Sequence, residues 1–158
     1  MGKPKKTIHL AKQLEIKQQL QALAKRRIKF SFQYLQETHS KFPLHGCTIE
    51  FLAHLLSTMK EYSTLTVEEF STRDEEHHRH QIDFSVTTEP DGFGVDPIDV
   101  GSDEPYQFGL CDESLGSDGG WRIHGFLRGD VFHVVWLDFH ALVLDGGRSR
   151  PRPKKRKK

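Results

Sequence analysis

Arg122, His124, Phe126 and Arg128 recur at every second position, and His133 and Asp138 follow shortly after. Alternate residues of a strand share a face, so two guanidinium groups and an imidazole would stand in a row. Such a row can hold a phosphate, with the imidazole serving as acid or base near neutral pH. A metal-independent ribonuclease needs little more: a base for the 2′-hydroxyl, an acid for the leaving oxygen, and cations for the charged transition state. The candidate catalytic set is therefore Arg122, His124, Arg128, His133 and Asp138, with Asp138 orienting His124 or His140. The same residues also fit a purely structural arrangement. In it the arginines pair with an acidic stretch, His124 donates to a backbone carbonyl, and Asp138 caps the turn after its strand. No cofactor is implied by either reading.

A second constellation is His77-His78-Arg79-His80 beside Asp74, Glu75 and Glu76. Two imidazoles three residues apart with neighbouring carboxylates could hold a divalent ion. The spacing matches no zinc motif, so a solvated polar loop is preferred and no residue is assigned to a metal. A third is the C-terminal run of Arg148, Arg150, Arg152, Lys154, Lys155, Arg156, Lys157 and Lys158. Eight cations without an anion bind polyphosphate with strong salt dependence and no sequence preference. Folding back onto an acidic stretch of the same chain is the competing use.

The elements that must position these groups are read from periodicity. Leu10, Leu14, Leu20 and Leu23 suit one face of a helix over 10–25, and Ile28, Phe30, Phe32 and Tyr34 then alternate as a strand. Thr48 caps a helix carrying Ile49, Leu52, Leu56 and Met59, and Thr66–Glu69 has the capping-box pattern. Residues 74–118 are acidic and interrupted by Pro90, Pro97 and Pro105, with one firm strand near 106–111 and a weaker one near 82–86. Trp121–Val143 reads as a hairpin turning at Arg128-Gly129-Asp130, with apolar residues on both faces and hence a central place in the sheet. The expectation is an α+β fold: a small antiparallel sheet with N-terminal and central helices packed on one face, ending in a long β-hairpin. The divisions are a basic arm over 1–9, one domain over 10–145 with the acidic excursion 74–118, and a disordered basic tail over 146–158.

Across 158 residues only 35 % are hydrophobic, and the formal charge of +1 hides a strong partition. Residues 1–60 are net +8, residues 74–118 net −12, and the last thirteen net +8. A uniformly basic nucleic-acid binder and a uniformly acidic disordered chain are both excluded. The body over 7–145 is net −10, so any RNA-cleaving surface must be a local basic patch working against the field of its own protein. No stretch approaches the roughly 20 apolar residues of a membrane span. A polar segment follows the basic N-terminus, so neither a membrane partner nor a secretory leader is expected and the location is read as cytoplasmic. Cys47 and Cys111 then read as two reduced thiols, a disulfide between them being the lesser alternative.

Arg122-Ile123-His124-Gly125-Phe126, followed by Val131-Phe132-His133-Val134-Val135-Trp136-Leu137-Asp138, resembles a hairpin pattern of an uncharacterised family of small bacterial proteins. Ser31–Leu35, Leu65–Phe70, His80–Phe84 and Tyr106–Phe108 fall in the same order, and the resemblance covers about residues 28–143. It implies a bacterial origin and a fold, with no activity attached. His140 follows Asp138 by two positions where the pattern has three. The element order is also similar to that of RelE/ParE-type toxins, which implies RNA or an antitoxin-like protein as partner. The leading expectation is a small toxin-like or mobile-element-associated protein that binds or cleaves RNA. The alternative is a noncatalytic protein-interaction module with an acidic loop and a nucleic-acid-contacting tail, and a metal-dependent hydrolase using His77, His78 and His80 ranks third.

Overall fold

The computed structural model describes residues 5–94, 103–110 and 120–140. Within them run helix α1 (Lys5–Ala24), strand β1 (Lys29–Ser31), helices α2 (Ile49–Tyr62) and α3 (Val67–Ser71), and strands β2 (His80–Gln81), β3 (Glu104–Gly109), β4 (Arg122–Arg128) and β5 (Val131–Asp138). The strands form one sheet in the order β1-β5-β4-β3-β2. It is antiparallel from β2 to β5, while β1 lies parallel to β5 at the far edge. The fold is α+β: the connection through α2 and α3 carries the chain to β2 at the opposite edge, and the sheet is mixed because β5, the last strand, runs beside β1 in the same direction.

The local signals behave as their chemistry demands. Thr48 accepts the Phe51 amide and starts α2, and Thr66 and Glu69 complete a reciprocal capping box at α3. Asp83 accepts from the Ser85 amide and opens a 3-10 turn over Phe84–Val86, where a strand is expected from the apolar pattern. Asx chemistry wins there over a short β-branched run. Gly129, at φ +62°, makes the tight β4–β5 turn.

The hairpin is central and buried on both faces. Towards the helices, Ile123, Leu127, Phe132, Val134 and Leu137 pack with Phe51, Leu55, Tyr62, Phe70 and Phe108. On the opposite face Phe126, Val135 and Trp136 are covered by Phe42, Ile82 and Phe93 from irregular segments. Val135 and Trp136 reach the same side because the ladder slips: His124 pairs with Trp136 and Gly125 with Val134, leaving Val135 as the extra residue of a bulge. Glycine is required opposite it. A Cβ on Gly125 would collide with the His133 carbonyl oxygen and approach the Phe132 ring to 2.7 Å.

Helix α1 meets the body differently from α2 and α3. Every residue from His9 to Ala22 is exposed, and burial begins only at Leu23 and Ala24. At 3.6 residues per turn, Gln13 and Lys17 fall between Leu10 and Leu20, so polar groups split the apolar stripe and weaken its claim on the core. No helix among the described residues is long and apolar enough to cross a membrane.

Candidate functional site

The hairpin carries all five candidate catalytic residues, but the structure divides them between its two ends. Arg122 pairs with Asp138 in the ladder near the open end, whereas Arg128 pairs with Val131 at the turn. Four residues of strand, about 13 Å, separate His124 from Arg128. Arg128 turns its fork to Asp103 at the turn, and His124 is enclosed at the open end, so the two groups do not form one phosphate site.

At the open end, His124 Nε2 meets Asp138 Oδ2 at 3.3 Å with both side chains wholly buried. Phe42 and Trp136 flank the imidazole. The other oxygen, Oδ1, accepts the backbone N–H of His140 at 3.2 Å. Asp138 thus orients an imidazole and caps the turn after its strand, the two roles that its position suggests. Across the sheet, Gln107 of β3 stands opposite His124, and His80 of β2 stands opposite Gln107. Gln107 Nε2 donates to His80 Nε2 at 3.0 Å, and His80 Nδ1 donates to the Gln81 carbonyl at 2.7 Å. A neutral imidazole protonated on Nδ1 satisfies both bonds.

At the turn end, Arg128 is used structurally. Its Nε and Nη2 donate to Asp103 Oδ1 and Oδ2 at 2.8 and 2.6 Å, a two-pronged pair on a buried carboxylate. The guanidinium also lies over the Phe126 and Tyr34 rings at 5.3 and 5.9 Å. Its hydrogen bonds to Asp103 and Tyr34 raise its pKa, so it is held firmly charged. His133 stacks on Phe126 at 4.9 Å and meets the edge of Tyr34 at 5.1 Å. Its Nδ1 is buried and has no hydrogen-bond partner among the described residues. Burial, and then the nearby Arg128 charge, push its pKa below the ordinary histidine value.

The histidine run also separates. Asp74 accepts His77 Nδ1 at 2.8 Å and the amides of Glu76 and His77. Burial pushes the Asp74 carboxyl up, but these bonds and the charges of His77 and Arg79 hold it below its usual range. Arg79, nearly buried, lies over Tyr62 and Phe70 and donates to the Glu69 carbonyl. This segment is therefore a built turn closing one end of the core, with His77 and His80 held by different partners. Among the described residues no three His, Cys, Asp or Glu side chains gather as a metal site. Cys47 is half-buried and its thiol pKa is raised by burial, which lowers its reactivity. Cys111 and the cationic residues Arg148 to Lys158 lie outside the described residues.

Asp103, Tyr34 and Gln107 complete the two clusters and carry no signal of their own in the sequence. Asp103 is one of many carboxylates in an acidic stretch, and Tyr34 reads as one more apolar position of a strand. Comparison with family models, with curated proteins and with solved structures finds no match for the chain.

Proposed function

We propose that this chain is a noncatalytic interaction module, of bacterial origin and with a basic tail that contacts polyanions, rather than an RNA-cleaving toxin. Burial carries this reading. A ribonuclease must admit a ribose and a phosphate to its imidazole, yet His124 and Asp138 are wholly enclosed and His133 nearly so. Arg122 and Arg128 stand at opposite ends of the hairpin, and Arg128 already spends its fork on Asp103. The exposed length of α1 supports the same reading, since it offers a surface without enclosing a reaction site.

The test is incubation of the purified chain with single-stranded and duplex RNA. Intact RNA is expected, together with growth that expression of the chain does not arrest. Cleavage abolished by His124→Ala or Arg122→Ala would overturn the reading.

A further inference from the structure

Helix α1 presents Leu10, Leu14, Ile16 and Leu20 at 68, 58, 47 and 60 % exposure, within fourteen consecutive exposed residues. That stretch is about 21 Å long. Isolated helices of this length are marginal in water and draw most of their stability from packing an apolar face. At about 100° per residue Leu10, Leu14 and Leu20 fall within an arc of about 120°. Gln13, Lys17, Gln21 and Ala24 also lie inside this arc and Lys25 at its margin, whereas Glu15 lies on the other side of the helix.

This charge pattern selects the occupant. A second copy packed parallel in register places Lys17 opposite Lys17. An antiparallel copy centred on the span from Leu10 to Ala24 does the same. Like charges facing across a contact oppose pairing. A nucleic acid would neutralise the lysines through its phosphates but leave the leucines in water. A helix with its own apolar stripe flanked by Asp or Glu meets both needs. The surface continues at the base of α1 into an open recess of ≈670 Å³ shared with α3, where Lys25 and Gln21 of α1 face Val67, Glu68, Ser71 and Thr72.

From this we infer that α1 is a docking helix for an acidic amphipathic helix of a partner protein. This names the partner class of the interaction module proposed above and rests on that reading. RNA cleavage would sink the module reading while leaving a peptide-binding result intact, so the two can fail separately.

The test uses the full chain and a synthetic peptide of about four heptads, with leucine at the a and d positions and glutamate elsewhere. A scrambled peptide of equal composition and an RNA duplex serve as comparisons. Fluorescence anisotropy is expected to show salt-dependent binding of the amphipathic peptide only. Leu14→Gln with Leu20→Gln should weaken it by roughly tenfold or more, as should Lys17→Glu with Lys25→Glu. These side chains are exposed, and circular dichroism checks that the variants stay folded. The proposal is overturned if the amphipathic peptide does not bind, or binds no better than the scrambled one. It is also overturned if the leucine changes leave binding intact, or if RNA occupies α1 in their place. A dimer of the free chain that the leucine changes dissociate would make a second copy the occupant, and would equally overturn it.

Discussion

His124 and Asp138 face each other across the β4–β5 ladder, Nε2 to Oδ2 at 3.3 Å, with neither side chain reaching solvent. Because Oδ1 of the same carboxylate holds the His140 amide, one residue ties the sheet's inner polar row to the turn that ends β5. Replacing Asp138 by Ala removes an acceptor from a buried imidazole and from a backbone N–H together. The expected loss is about 3 kcal/mol, the scale for breaking a buried pair by removing one partner. Asp138→Asn keeps the shape and one acceptor and should cost less, about 1–2 kcal/mol. Urea unfolding of the two variants checks both the loss and its order.

His133 makes stability depend on pH. Its folded pKa lies below the unfolded value of about 6.5. Between those two values the unfolded chain binds a proton that the folded chain refuses, so stability rises with pH through this window. The contribution is complete above the unfolded value and is lost as pH falls towards the folded one. Denaturation midpoints measured from pH 7.5 down to 5 should fall for the native chain. For His133→Gln they should fall less, and an equal slope in both would remove His133 as the cause.

The terminal hairpin was legible from its residues because apolar side chains on both faces mark a central pair of strands, and the capping residues Thr48 and Thr66 announce their helices directly. The site was legible only in part. Asp138 could be assigned both an orienting and a capping role from its place at a strand end, whereas the pairing of Arg128 with Asp103 depends on a contact 25 residues distant in an aperiodic acidic stretch. The bulge at Val135 is hidden for another reason: Val135 and Trp136 are both apolar, so either register satisfies the pattern. In α1 the leucine spacing is that of a helix, but periodicity does not say what the helix packs against. Exposure does.

Gly125 sits at the slip in the β4–β5 ladder, where a Cβ would collide with the His133 carbonyl oxygen. Gly125→Ala must push against a carbonyl oxygen of β5, which cannot rotate away as a flexible side chain could. The expected cost is about 1–3 kcal/mol, the range for overpacking a filled core. Gly129→Ala meets no such obstacle, its nearest neighbour being the Leu23 methyl at 3.9 Å, but must hold φ near +62°. It should lose roughly 1 kcal/mol from backbone conformation alone. Thermal melts of the two variants separate the steric cause from the conformational one.

Leu20 and Leu55 have the same side chain in two helices with opposite surroundings. Leu20 is 60 % exposed on α1, while Leu55 of α2 is 3 % exposed against the sheet. Leu20→Gln exchanges one good helix former for another at a surface position, so the change should stay within about 0.5 kcal/mol. Leu55→Ala removes packed methyl groups and leaves a cavity, an expected loss of about 2–5 kcal/mol. Urea unfolding of each single variant reads the difference. A Leu20→Gln loss approaching that of Leu55→Ala would mean that α1 is packed against a surface in solution before any partner arrives, and the docking face would already be covered.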